Sequence, residues 1–250
     1  MRAFLYSVWI LLIVAAAGHA EHYGTSITTD SAAIAAANEI TGLGEYYAQR
    51  GAEAPVASVT PTIYRDSTTP FLHDSLDGLP AWEIVYSGIE DVLEGLSDSG
   101  KVKRGPTELT LWLDRVSGCL LSCSILEHPH RSRDALLAPA GVERMRTMES
   151  NVTLGLPPHL PEITLLDALS KWKDFAASAR DVIVTYVEMT WQDDEPFPAW
   201  NLVFPGVYMK PSDYPDAVYA VDVWVDARTG RRSPIGQISG PAVGSPDAEE

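Results

Sequence analysis

Residues 80–88 read P-A-W-E-I-V-Y-S-G, and residues 198–206 read P-A-W-N-L-V-F-P-G. Pro, Ala, Trp, Val and Gly coincide in the two stretches. A second matching pair follows, with L-T-L-W-L-D-R-V-S-G at 109–118 and V-D-V-W-V-D-A-R-T-G at 221–230. An internal repeat of this kind indicates two copies of one structural module. We therefore expect the two copies to superpose, with the repeated tryptophans on the same type of element.

Each copy combines a helical segment with strand-like segments. Thr29–Tyr47 and Thr164–Arg180 carry apolar residues at three- and four-residue steps, which predicts a helix in each. Thr164 is the expected N-cap of the second helix, and Thr28, Thr29 or Asp30 is the candidate cap of the first. Strands are predicted at Val56–Tyr64, Trp82–Tyr86, Leu109–Asp114, Val182–Thr190, Trp200–Phe204 and Tyr219–Asp226. Pro61 interrupts the first of these strands, which restricts it to a sheet edge.

These patterns predict an α+β fold, a tandem repeat in which one helix packs on a small antiparallel β-sheet in the order helix-strand-strand-strand. The differing compositions along the chain divide it into five expected regions. They are a signal peptide at 1–20, a first unit at 21–127, a linker with a short helix at 128–161, a second unit at 162–236 and a disordered tail at 237–250.

The first 20 residues have the pattern of an export signal. Arg2 precedes the apolar run Phe4–Ala17, and Gly18-His19-Ala20 places small residues where a signal peptidase cleaves. The alternative is a retained membrane anchor, but this run is shorter than the roughly 20 residues that a membrane span needs. The sequence therefore predicts a secreted or periplasmic protein with no membrane span after cleavage.

The charge balance argues against a nucleic-acid partner. The chain has 18 basic and 34 acidic residues, a formal net charge of −16. Nucleic acid and anionic lipid would repel such a chain. The acidic residues are scattered along the sequence, which is typical of a solvated surface.

The ordered motifs of the second copy resemble the PepSY domain. They are Ile163-Thr164 followed by Ala168-Leu169, then Pro198-Ala199-Trp200, and finally Val225-Asp226-Ala227-Arg228-Thr229-Gly230. The first copy is more divergent, with Leu113-Asp114-Arg115-Val116-Ser117-Gly118 in place of the last motif. The resemblance implies a helix on a small antiparallel sheet in an exported protein. It also implies a role in binding other proteins or restraining peptidases, and it carries no catalytic residues.

No linear motif for catalysis or cofactor binding is present. The chain contains no nucleophile elbow, no H-E-x-x-H and no phosphate-binding or dinucleotide-binding glycine loop. His128-Pro129-His130 is the local cluster with metal-ligand residue types, and we interpret it as a solvated loop. We therefore predict neither a metal nor a cofactor and expect a non-enzymatic protein that binds a polypeptide. The alternatives are a hydrolase with a spatially assembled site and a small-ligand binder between helix and sheet.

Four residues of the repeated hairpins are candidates for binding. Side chains alternate along a strand, so the aliphatic rows of the last two predicted strands face the helix. Trp112 and Asp114 in the first copy, and Trp224 and Asp226 in the second, then lie on the opposite face. A tryptophan among carboxylates is typical of an amphipathic binding surface. The alternative is that other parts of the chain cover both tryptophans.

Cys119 and Cys123 are the only cysteines. An oxidising compartment favours a bridge between them. If the strand continues past Gly118, however, residues four apart lie roughly 13 Å from each other, which is too far for a disulfide. The disulfide prediction therefore requires a local turn.

Overall fold

The computed structural model places most of the two repeated regions. It describes residues 26–55, 57–65, 76, 78–96, 105–127, 152–155, 157, 159–179, 181–191, 195–209 and 217–241. The predicted signal peptide, the His128-Pro129-His130 cluster and the short linker helix at Ala140–Glu149 lie outside the described residues.

Within the residues that the structure describes, nine strands form one antiparallel sheet. Eight of them follow the order β1-β2-β3-β4-β6-β7-β8-β9, and β5 pairs with the second part of β6. The strands are β1 Ser58–Ile63, β2 Pro80–Ser87, β3 Glu108–Asp114, β4 Leu120–Leu126, β5 Val152–Gly155, β6 Asp181–Trp191, β7 Phe197–Met209, β8 Ala217–Asp226 and β9 Arg232–Pro241. Strand β5 lies within the predicted linker, and β9 extends into the first residues of the predicted tail.

The prediction of two small separate sheets is wrong. Strand β4 pairs directly with β6, from Cys123 opposite Val184 to Leu126 opposite Asp181, and this pairing merges the two halves. Both strands are buried along this contact. An uncovered strand edge leaves N–H and C=O groups without partners, so joining the two edges satisfies groups that separate sheets would leave open.

The repeated strands have the same register in both halves. In the first half Trp82 lies opposite Leu113 and Ile84 opposite Leu111. In the second half Trp200 lies opposite Val225, and Leu202 opposite Val223 in the same way. The prediction that both repeated tryptophans occupy strands is therefore confirmed.

Strand β1 is an edge strand, as Pro61 predicts. The N–H of Tyr64 points toward β2 and donates to the carbonyl oxygen of Leu79 at 2.8 Å. Amide directions alternate along a strand, so an N–H at position 61 would point away from the sheet. Proline lacks this donor, and its place on the outward side removes no bond within the sheet.

The described part of the chain contains five helices, which lie on one side of the sheet. They are α1 Asp30–Thr41, α2 Leu43–Gln49, α3 Glu90–Leu96, α4 Leu165–Lys171 and α5 Lys173–Ser178. Each predicted helix is thus two helices, divided at Gly42 in the first half and at Trp172 in the second. Gly42 adopts φ +80°, a left-handed conformation that ends α1. Helix α3 was not predicted.

The capping predictions are confirmed in both halves. The Thr29 hydroxyl oxygen accepts from the N–H of Ala32, and the Thr164 hydroxyl oxygen accepts from the N–H of Asp167. Each bond satisfies one of the helix N–H groups that have no partner within the helix. Both helices therefore begin where the threonine in the sequence indicates.

The two halves share one hydrophobic core between the helices and the sheet. Every helix contributes buried side chains to it, including Ala37, Leu43, Leu93, Leu169 and Ala176. The strands contribute alternate residues, among them Trp82, Ile84, Leu111, Cys123, Val184, Tyr186, Trp200, Leu202 and Val223. A shared core explains why the halves do not form independent modules.

A second, smaller cluster lies on the opposite side of the sheet. None of the helices in the described part of the chain covers that side, and we call it the helix-free face. Its buried members are Tyr64, Leu76, Ala81, Leu121, Val187, Met189, Ala199 and Trp224. Trp112 packs against this cluster. The same face also carries buried polar residues, namely Ser122, Thr185, Asn201 and Asp222.

Candidate functional site

Asp114 and Asp226 organise the two hairpin turns that end β3 and β8. The Asp114 carboxylate accepts from the N–H groups of Val116 and Ser117 and from the Ser117 hydroxyl. Asp226 accepts from the N–H groups of Arg228 and Thr229, at 2.8 and 3.2 Å. Each carboxylate therefore stabilises its own turn. This explains why an aspartate recurs at this position in both halves, and a binding role is not needed to explain it.

Trp112 and Trp224 both lie on the helix-free face, as strand alternation predicts. Trp224 is only 2% exposed and packs in the smaller cluster. Trp112 is half-buried, and its ring contacts the Tyr64 ring edge-on with the centroids 6.5 Å apart. The structure thus matches the alternative in which these tryptophans are covered, and it does not present them as an exposed surface.

A polar pair that the sequence reasoning did not single out lies beside Trp224. The side-chain amide of Asn201 on β7 donates to the Asp222 carboxyl on β8 and, at 3.4 Å, to the carbonyl oxygen of Val223. Burial raises the pKa of Asp222 to about 7, although the Asn201 hydrogen bond acts in the opposite direction. In the sequence, Asn201 and Asp222 are visible only as polar residues within strands that are otherwise apolar. That pattern does not reveal that they contact each other across β7 and β8.

Two buried polar atoms here lack hydrogen-bond partners. One is the side-chain oxygen of Asn201 itself, and the other is the indole nitrogen of the neighbouring Trp224. A buried polar atom without a partner has a substantial free-energy cost, so such atoms are uncommon in folded proteins. The pair therefore combines a buried carboxyl group with a buried amide oxygen that has no hydrogen-bond partner.

The predicted disulfide between Cys119 and Cys123 is wrong. Both cysteines are buried thiols that are not bridged to each other. Cys123 lies within β4 and Cys119 directly precedes this strand, so the extended chain separates them. Burial raises the pKa of the Cys119 thiol to about 12. Neither thiol therefore has the environment of a reactive cysteine.

One exposed aliphatic pair lies at an end of the sheet in the first half. Ile63 and Val116 are each 51% exposed. Ile63 is the register partner of Pro80, and the carbonyl oxygen of Pro80 accepts from the N–H of Arg115 at 2.9 Å. Because Arg115 precedes Val116, both aliphatic side chains lie at the same end of the sheet. We call Ile63 and Val116 the apolar end patch.

The second half carries charged residues at the corresponding positions. Glu188 is the register partner of Pro198, whose carbonyl oxygen accepts from the N–H of Ala227. Arg228 follows Ala227, as Val116 follows Arg115. The backbone arrangement is thus the same in both halves, and the apolar end patch belongs to the first half alone.

Metal-ligand clusters and membrane-spanning helices are both absent from the described residues. Within them, no group of three or more His, Cys, Asp or Glu side chains is arranged to hold a metal ion. No helix in this part of the chain is long and apolar enough to cross a membrane.

Comparison with known proteins gives no further assignment. No protein-family model, curated protein or solved structure matches the chain.

Proposed function

We propose that this protein is an exported, non-catalytic binding protein of the PepSY type that binds or restrains another polypeptide, such as a peptidase. The observation that carries the proposal is the apolar end patch. Ile63 and Val116 are large aliphatic residues, and each is about half exposed at the same end of the sheet. Exposed apolar groups at one end of a sheet are more informative than scattered ones, because burying them against a partner is favourable.

The difference between the halves supports a binding role for this patch. Glu188 and Arg228 occupy the same backbone positions in the second half, so the fold does not require aliphatic residues there. Aliphatic side chains at two solvent-exposed positions contribute little to the stability of the chain itself. A role in contact with another molecule accounts for their presence.

The immediate surroundings indicate the chemistry of the partner. The guanidinium of Arg115 stacks over the Trp82 ring, with its carbon 4.7 Å from the ring centroid. Arg115 directly precedes Val116 in the chain, so a positive side chain belongs to the same turn as this aliphatic residue. A polypeptide segment that presents an apolar side chain next to a carboxylate fits this arrangement best.

The test exchanges the patch for the residues of the other half. In the variant Ile63→Glu/Val116→Arg, each new residue is the one that the second half already carries at that position. We expect this variant to fold with wild-type stability. The matched control is Glu188→Gln/Arg228→Gln, which alters the corresponding end of the second half.

The measurement is affinity capture from the native exported fraction, followed by purification of the captured polypeptide and titration against each variant. We expect the dissociation constant of Ile63→Glu/Val116→Arg to be at least tenfold larger than that of the wild type. Each side chain is already half buried, so burying the rest of both is worth roughly 1.5 kcal/mol or more in total. The control should bind as the wild type does. Equal binding by all three proteins would rule out the patch as the binding surface.

A further inference from the structure

The Asn201–Asp222 pair has an unusual distribution of hydrogen-bond donors and acceptors. The Asn201 amide nitrogen faces two acceptors, the Asp222 carboxyl and the Val223 carbonyl oxygen. These contacts fix the amide orientation and leave the Asn201 side-chain oxygen buried without a partner. Asn201 is 1% exposed and Asp222 is 7% exposed. Bulk water therefore does not compensate for the missing bond.

No charged group compensates Asp222 within the described residues. Its register partners are Val203 on β7 and Gln237 on β9, and Trp224 lies on the same face of β8. None of these residues ionises, and burial and the Asn201 hydrogen bond are what shift the pKa of Asp222. The next carboxylate on this face of β8 is Asp226, about 13 Å farther along the strand, where turn N–H groups bind it.

The chemistry of the two side chains suggests which form of Asp222 fits. An ionised carboxylate only accepts hydrogen bonds, so it leaves the Asn201 oxygen without a donor. A protonated carboxyl group retains an acceptor oxygen for the Asn201 amide and gains an O–H that can donate to the Asn201 oxygen. A carboxylic acid and a primary amide then form two hydrogen bonds, and both groups are satisfied.

We propose that Asp222 is protonated in the folded protein and forms a two-bond acid–amide pair with Asn201, and that this pair is a pH-sensitive contact between β7 and β8. Burial also raises the pKa of Asp222 to about 7, which agrees with this arrangement. The first half has Glu83 and Thr110 at the corresponding register positions, so the contact belongs to the second half alone.

The direction of the pH effect follows from linkage. The pKa of Asp222 is higher in the folded chain than the value of about 3.9 expected when unfolded. The contribution of protonated Asp222 to the free energy of unfolding is therefore fully present below about pH 4. It is lost as the pH rises toward about 7. Most paired carboxylates act in the opposite direction, so this dependence is distinctive.

The experiment compares the unfolding equilibrium of the full chain and of Asp222→Asn across this pH range. We compare the two by the ratio of the unfolding equilibrium constant of the wild type to that of Asp222→Asn. This ratio should rise about tenfold per pH unit between about pH 4 and about pH 7, and it should be constant above that range. Asp226→Asn serves as the matched control, because it removes a carboxylate from the same face of the same strand. It should retain the wild-type dependence.

An infrared measurement on the wild type tests the proposal even if Asp222→Asn does not fold. The carbonyl band of a protonated carboxylic acid should persist at about pH 6, where ordinary carboxyl groups are ionised, and should disappear above about pH 8. Absence of this band at about pH 6 would overturn the proposal. Parallel pH profiles for the wild type and a folded Asp222→Asn variant would overturn it as well.

Discussion

Gly42 lies so close to Thr164 that a Cβ atom on residue 42 would stand 2.7 Å from the Thr164 hydroxyl oxygen. Gly42 ends the first helix of the first half, and Thr164 caps the first helix of the second half. The helices of the two halves therefore meet where one helix ends and the other begins. Only a glycine fits this position, because the residue also adopts φ +80°.

This contact predicts that Gly42→Ala destabilises the protein through two separate effects. The left-handed conformation alone should cost about 1 to 2 kcal/mol. The contact with Thr164 should add roughly 1 to 3 kcal/mol, because the helices must separate slightly. Gly51→Ala is the matched control, since Gly51 has φ +66° with no atom within 4 Å of the added Cβ. Denaturant unfolding gives the free energy of unfolding of each variant. An equal decrease for Gly42→Ala and Gly51→Ala would contradict close packing at Gly42.

Replacing two buried tryptophans with phenylalanine should have opposite consequences for hydrogen bonding. The indole N–H of Trp200 donates to the carbonyl oxygen of Ile163 at 2.7 Å, whereas that of Trp224 has no partner. Trp200→Phe leaves a carbonyl without its donor, which should cost roughly 1 to 3 kcal/mol beyond the packing change. Trp224→Phe removes an unpaired donor and should be clearly less destabilising.

The comparison is informative because both rings are almost completely buried. Equilibrium unfolding of the two variants under the same conditions separates the hydrogen-bond contribution from the loss of ring area. A larger loss for Trp224→Phe than for Trp200→Phe would show that this assignment of hydrogen bonds is wrong.

The two cysteines should react with thiol reagents only when the protein unfolds. Cys119 and Cys123 are buried, and burial raises the pKa of Cys119 to about 12, so little thiolate is available near neutral pH. We expect almost no labelling of the native protein and two labelled thiols in denaturant without a reductant. A requirement for reductant would indicate a disulfide and contradict the structure.

The repeated motifs predict the local structure of the sheet well. The strand register around Trp82 and Trp200, the caps at Thr29 and Thr164, and the edge position of β1 all follow from short-range patterns. These features depend on alternation, capping groups and the missing donor of proline. Each acts over a few residues and is therefore visible in the sequence.

The last strand of each half was missed for a physical reason. Gly118 and Gly230 indicate turns correctly, but each turn leads into a further strand, β4 or β9. Strand β9 contains Gly, Pro and Ser, a composition typical of loops, and its pairing is irregular at two places. Its placement depends on β8 beside it rather than on its own propensity.

The merging of the halves and the candidate site depend on contacts between distant residues. Nothing local in Leu120–Leu126 indicates that Asp181–Trp191 is its partner, and the Asn201–Asp222 contact joins different strands. The apolar end patch likewise becomes recognisable only when Ile63 and Val116 are placed beside Pro80. Such relationships require the fold and cannot be read from one segment.

The pairing of β4 with β6 is the central structural claim, because it converts two repeats into one sheet. Backbone proton nuclear Overhauser effects between residues 123–126 and 181–184 test it most directly. The structure predicts cross-strand contacts that place Ser124 opposite Ile183 and Ile125 opposite Val182. A spectrum in which each half shows only its internal strand contacts, with none between these two segments, would contradict the single sheet.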